Sequence, residues 1–188
     1  MPNRQRAVIW IALLIPLLLQ LQGYLSGTAF YGETLHRTGE VSVWLLLVVL
    51  AVTPARRLFP KAVWSAWMLR ARRDLGIATF VYGLAHTVIY LERKADLARI
   101  LREAADPGIL VGWLALFGML LLAVTSNDRS VRWLGGRWKG LHRLVYGVAL
   151  LAVLHWVLTA FDPTVGCLHL GLLGVLLLSR GIPRRQGI

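Results

Sequence analysis

Cysteine is almost absent from these 188 residues: Cys167 stands alone. One thiol excludes an intrachain disulfide, a cysteine-held iron–sulfur cluster and a four-thiolate zinc site. Carboxylates are scarce too, with 9 Asp and Glu against 21 Lys and Arg. Strand-type alternation, internal repeats and low-complexity stretches are missing. No Gly-x-Gly-x-x-Gly opens a strand–helix unit, so the chain carries no dinucleotide-binding fingerprint. What is abundant is apolar: 57% of the residues are hydrophobic and the mean hydropathy is +0.62.

The apolar residues come in blocks, which read as membrane spans. Six stand out: Ala7–Gln22, Val41–Thr53, Leu75–Leu91, Ile109–Thr125, Leu141–Ala160 and Val165–Ser179. Several fall short of the ~20 residues a helix needs to cross, and uncharged flanks extend them. Only helices and closed barrels satisfy every backbone group in lipid. Without alternation the expectation is an all-α membrane protein, one domain over residues 1–188, with about six transmembrane helices in one bundle. Met1–Arg6 and the block after it resemble the start of a signal peptide. With no small-residue cleavage site, the block is expected to be retained as the first span. Thr53-Pro54 and Asp106-Pro107 read as segment boundaries.

The net charge of +12 sits in the connections. A basic protein of this size can bind nucleic acid, but charge confined between apolar blocks points to topology control instead. Arg4 and Arg6 precede the first span. Arg56, Arg57, Lys61, Arg70, Arg72 and Arg73 lie between the second and third, against Asp74. Arg129, Arg132, Arg137 and Lys139 lie between the fourth and fifth, against Asp128. Arg180, Arg184 and Arg185 follow the sixth. The alternate connections are balanced or acidic. Six crossings with both termini cytoplasmic fit this pattern. Trp10, Trp44, Trp113 and Trp156 near span ends read as interfacial anchors, and 61–73 as an amphipathic surface helix.

The histidines carry the chemistry. Ionisable groups inside a membrane are costly, and they are functional candidates by default. Neutral imidazole is the natural axial ligand of b-type haem iron. The absence of a Cys-x-x-Cys-His run excludes covalent haem attachment. His86 and His155 each lie five residues before the end of their spans, and the two spans run in the same direction. Equal depth suits two ligands facing one iron. His142 lies thirteen residues before His155, about 20 Å away along the helix and roughly 140° around it. The two cannot ligate one iron. Two roles are open for His142: ligand to a second, inner haem, or contact to a flavin or quinone whose anionic groups meet Arg137, Lys139 and Arg143. His36 is an accessory haem-contact candidate, and His169 reads as structural.

Together, His36-Arg37-Thr38-Gly39, Thr53-Pro54-Ala55-Arg56-Arg57, Arg72-Arg73-Asp74-Leu75-Gly76, Leu84-Ala85-His86 and Trp138-Lys139-Gly140-Leu141-His142-Arg143-Leu144-Val145-Tyr146 resemble the MsrQ family, also called YedZ. The resemblance runs from about Leu35 to His155; outside it the first and last spans match in hydropathy only. It implies a place in the ferric-reductase-like transmembrane group, a bacterial inner-membrane location, b-type haem and FMN. It implies electron delivery to a periplasmic molybdopterin reductase, MsrP, that repairs oxidised methionine in proteins. The quinone pool or a cytosolic flavin reductase is the implied donor. The motif histidines map onto His86, His142 and His155, with His36 in a further matching position. Larger members of the group carry two histidines on each of two spans, whereas here the third span has His86 alone. One outer haem, with flavin near Arg72, Arg73, Arg137, His142 and Arg143, suits the residues better than a two-haem stack. The alternatives are a stand-alone ferric or quinone reductase of the same fold, and a transporter or scaffold without cofactor.

Overall fold

The computed structural model describes residues 3–94 and 96–181; Arg184 and Arg185 of the charge pattern lie outside them. Among the described residues the chain is helical throughout. The α-helices are α1 (Asn3–Leu25), α2 (Tyr31–Leu58), α3 (Val63–Lys94), α4 (Leu97–Glu103), α5 (Pro107–Val124), α6 (Asp128–Leu134), α7 (Gly136–Leu141), α8 (Val145–Thr159) and α9 (Thr164–Leu178). A single 3-10 turn at His142–Leu144 joins α7 to α8. Five runs are long and apolar enough to cross a bilayer: α1, α2, α3, α5 and the joined stretch Gly136–Thr159. The expected sixth span is the apolar helix α9. Its 15 residues reach only about 22 Å.

α2 packs along α3, and α5 along α8. These two antiparallel hairpins meet over Val43, Leu46, Leu47 and Leu50 of α2, Ala115 and Met119 of α5, and Val148, Ala149, Ala152 and Val153 of α8. Apolar attraction between helices is weak in lipid, so close approach through small residues matters. Gly118 of α5 lies against Val148, and Gly166 of α9 against the backbone of Val157. A side chain at either position would push the helices apart.

Three sequence expectations change. Pro54 does not end α2, which runs four residues further to Leu58. The proline leaves the Leu50 carbonyl without its helical donor, and Arg180 Nη2 fills that gap at 2.6 Å. Residues 63–73 are not a separate surface helix, because α3 is continuous over 32 residues. Trp10 and Trp156 are not only interfacial anchors. Trp10 donates to Asp74, and Trp156 is buried at 8% exposure. The boundary at Asp106-Pro107 holds. Asp106 Oδ1 caps the first turn of α5 by accepting from Gly108 N, and Pro107 takes the first helical position, where a missing N–H costs nothing.

α1 is the outermost helix, with Ile9 and Leu17 its buried residues. Its tie to the bundle is polar. Asp74 of α3 is buried and accepts from Arg6 Nε at 2.8 Å and Trp10 Nε1 at 3.0 Å. The Tyr82 hydroxyl donates to the Leu13 carbonyl at 2.8 Å. A second pair, Arg73 with Asp128 at 2.7 Å, ties α3 to α6 at the surface and holds the Asp128 carboxyl below its ordinary range. Asp74→Ala strands a half-buried Trp N–H and removes an arginine's partner, and is expected to cost about 1–3 kcal/mol. Asp128→Ala breaks an exposed pair worth under about 1 kcal/mol. SDS unfolding of the two variants in detergent should rank them in that order.

Candidate functional site

A cavity of about 360 Å³ opens between α2, α3, α5 and α8. His86 of α3 and His155 of α8 line it, with ring centroids 6.2 Å apart and planes at 86°. The structure thus brings the two imidazoles expected at equal depth into one cavity. Each ring is held in the same way. His86 Nδ1 is 2.8 Å from the Leu35 carbonyl of α2, and His155 Nδ1 is 2.7 Å from the Gly108 carbonyl of α5. A carbonyl only accepts, so Nδ1 carries the hydrogen in both rings and Nε2 keeps a free lone pair. Four residues after each carbonyl stands a glycine under the ring. A Cβ on Gly39 would come within 2.9 Å of His86 Nδ1, and one on Gly112 within 2.6 Å of His155 Nδ1. Glycine is required at both places because the imidazole occupies the space of a side chain.

This donor set suits a metal brought by its own macrocycle. No group of three or more His, Cys, Asp or Glu side chains able to hold a bare ion occurs among the described residues. Two neutral imidazoles with Nδ1–H fixed to carbonyls have the outer hydrogen bonding typical of metal-bound histidine. Two metal–nitrogen bonds of about 2.0 Å, plus the half-widths of two rings, separate centroids by about 6.3 Å, which matches the spacing found. Besides the two histidines, the walls are apolar apart from Ser42, Thr87, Thr159 and the outer rim of Tyr31, His36, Glu40, Tyr90 and Lys94. His36 lines this rim, edge-on to Trp156 at 5.5 Å and 3.8 Å from Glu40 Oε2. His169 is buried outside the cavity, between Trp44 and Trp156, and donates from Nδ1 to the Val165 carbonyl.

A second cavity, about 390 Å³, lies towards the arginine-rich end. Arg72, Arg73, Lys139, His142 and Arg143 line it, together with Trp138 and Tyr146. Arg137 is exposed on α7 and does not reach it. Met119 lines both cavities. His142 faces the same helices as His155, contrary to the ideal-helix expectation. The 3-10 turn at His142–Leu144 advances each residue by about 120° and narrows the angle between the two side chains to about 80°. His142 stacks on Trp138, with centroids at 4.0 Å and planes at 27°. Its Nε2 is 3.1 Å from Thr125 Oγ1, whose hydroxyl donates to the Leu121 carbonyl at 2.7 Å. His142 thus donates from Nε2 and lacks the free Nε2 of the other pair. Thirteen residues before His86, where the His142–His155 spacing would repeat, stands Arg73. A guanidinium stays protonated and does not ligate a metal. The second cavity is cationic and aromatic, suited to a planar anionic molecule.

Residues 38–153 match the family model described as ferric reductase like transmembrane component. That stretch holds His86 and His142 and ends two residues before His155. The chain is similar to protein-methionine-sulfoxide reductase heme-binding subunits MsrQ from three bacteria. It is 40% identical to that of Ralstonia nicotianae over 167 residues, 82% of this chain and 74% of the relative. It is 35% identical to that of Azospira oryzae over 180 residues, 89% of this chain and 76% of the relative. It is 40% identical to that of Xanthomonas campestris pv. campestris over 149 residues, 77% and 66%. The chain belongs to the MsrQ family. With its five long apolar helices it is a multi-pass membrane protein of that family.

Sequence reasoning about this MsrQ-family chain missed the supports of the site. Gly39 lay in a quoted motif, but nothing marked it as the bed of an imidazole. Gly108 and Gly112 form a small-xxx-small pair, a signal of close helix approach that the reading passed over. Lys139 was already a candidate beside His142, whereas Trp138 and Thr125 became site residues only when the 3-10 turn aimed His142. Gly112→Ala is expected to drive His155 off the Gly108 carbonyl. Gly39→Ala, with the longer distance, should displace His86 less. Absorbance of bound metalloporphyrin in the purified proteins should fall more in the first variant than in the second.

Proposed function

We propose that the chain is the membrane electron-transfer subunit of a methionine sulfoxide reductase system in the bacterial inner membrane. In this reading residues 1–188 act as one domain with both termini in the cytoplasm. Electrons are taken from the quinone pool or a cytosolic flavin reductase. They are delivered to a periplasmic molybdopterin partner of the MsrP kind, where sulfoxide reduction takes place. The observation that carries the reading is the matched pair His86 and His155, each with Nε2 free. The names of the relatives, heme-binding subunits, agree with it.

His86 and His155 are the residues that would hold a b-type haem, which supplies a one-electron couple when bound. Leu35 and Gly108 fix the ring tautomers through their carbonyls, and Gly39 and Gly112 fix the ring positions. The apolar walls keep water from the iron site and set its dielectric surroundings. His36 serves the rim of this cavity. Arg72, Arg73, Lys139 and Arg143, with the Trp138–His142 stack, would hold FMN or a quinone in the second cavity by charge and by stacking. The engaged Nε2 of His142 and the arginine at position 73 favour that assignment over a second haem.

His86→Ala and His155→Ala are each expected to abolish the low-spin b-type spectrum of the detergent-purified protein. His142→Ala should retain that spectrum and lose extractable flavin. Full haem in both of the first two variants would exclude this ligand pair. A protein colourless from haem-replete cells would favour a cofactor-free transporter or scaffold. Turnover with ferric or quinone acceptors, without a periplasmic partner, would favour a stand-alone reductase.

A further inference from the structure

The rim of the first cavity carries one cation from a helix end, and it is shared. Lys94, in the last turn of α3, lines the cavity. Its Nζ is 2.8 Å from Glu103 Oε1 and 5.5 Å from the centroid of the Tyr90 ring. Glu103 belongs to α4, the short helix that follows. It accepts in addition from the Tyr90 hydroxyl at 2.7 Å and Arg99 Nε at 3.0 Å. These three donors hold its carboxyl down at about 2, so it is ionised at any physiological pH. Besides the histidines, Glu40 and Lys94 are the ionisable aliphatic side chains of the cavity wall, which Tyr31 and Tyr90 also line. A macrocycle with carboxylate substituents, seated between His86 and His155, turns those substituents to water at this rim or buries them unpaired against apolar wall. Lys94 is the cation within the wall that can meet them.

We propose that Lys94 is a positioning residue that neutralises the carboxylate substituents of the bound cofactor, and that Glu103 on α4 sets how much of its charge reaches them. This rests on the haem reading of the first cavity. The physical consequence has a sign. A reduced centre carries one more negative charge than an oxidised one. A nearby cation therefore stabilises the reduced form, and a nearby carboxylate opposes it. Removing Lys94 leaves the cofactor carboxylates facing Glu103 and lowers the midpoint potential. Removing the charge of Glu103 frees Lys94 towards the cavity and raises it. A purely structural pair behaves differently. Either substitution then breaks the same bond between α3 and α4, and both variants change in the same way.

The test is a potentiometric titration of the detergent-purified full chain, followed by haem absorbance, with haem content measured by extraction. The variants are Lys94→Gln, Lys94→Arg and Glu103→Gln. The expected result is a downward shift in Lys94→Gln, an upward shift in Glu103→Gln and no shift in Lys94→Arg. Loss of haem in Lys94→Gln with haem retained in Lys94→Arg also supports the proposal, since it isolates the charge. Shifts of the same sign in Lys94→Gln and Glu103→Gln, no shift in either, or equal haem loss in both lysine variants would overturn it. Absence of haem from the unsubstituted chain would overturn the haem reading itself, a separate failure.

Discussion

A main-chain carbonyl that accepts one bond more than its helix requires, with a glycine one turn later, organises the interior of this bundle. Leu35 with Gly39 seats His86, and Gly108 with Gly112 seats His155. Thr79 with Gly83 repeats the device for Ser42, whose hydroxyl reaches the Thr79 carbonyl at 2.9 Å. In water such a carbonyl could bond to solvent. In lipid the side-chain donor must come from a neighbouring helix, and the glycine lets that helix come near enough. Backbone satisfaction, helix spacing and imidazole orientation are thus one constraint. The cost of a methyl at Gly39 or Gly112 falls on the ring before it falls on the fold.

The arginine-rich end uses the same economy with the opposite sign. Pro54 removes an N–H from α2 and exposes the Leu50 carbonyl. Arg180, at the exit of α9, donates to that carbonyl and to the Tyr146 hydroxyl, while Arg57 donates to the Arg180 carbonyl at 2.9 Å. The proline that reads as a helix end is the acceptor that lets the last helix dock. Tyr146 also lines the second cavity, so the closure by α9 and the cationic cavity share a wall.

Hydropathy and charge made much of this legible. Blocks of apolar residues mark the spans because lipid leaves no other place for them, and His86 and His155 stand out because an imidazole inside a span needs a reason. Equal depth was readable from residue counts alone. The direction of His142 was not, since it depends on three residues of 3-10 geometry that no composition signals. Nor was the separation of Arg137 from Lys139. They differ by two positions on a short helix, and α7 had first to be placed. The tryptophans misled for a related reason. Interfacial preference is a property of the residue type, whereas Trp10 and Trp156 are committed by a buried carboxylate and a core contact that exist only after packing.

The two cavities divide labour along the bundle. One presents neutral nitrogen lone pairs in apolar walls, and the other presents cations and stacked rings. At the first, the lining Lys94 pairs with Glu103 of α4; at the second, the lining Arg73 pairs with Asp128 of α6. Arg72 and Arg73 are half-buried, and Lys139 and Arg143 are exposed. The second cavity is thus cationic at its open side and aromatic within. The first is lined mostly by apolar side chains around two imidazoles. Met119, buried in the core, lines both cavities. The 3-10 turn decides what the second cavity holds, because an unbroken helix would have pointed His142 away from α3 and α5 and left that cavity without its stacked rings.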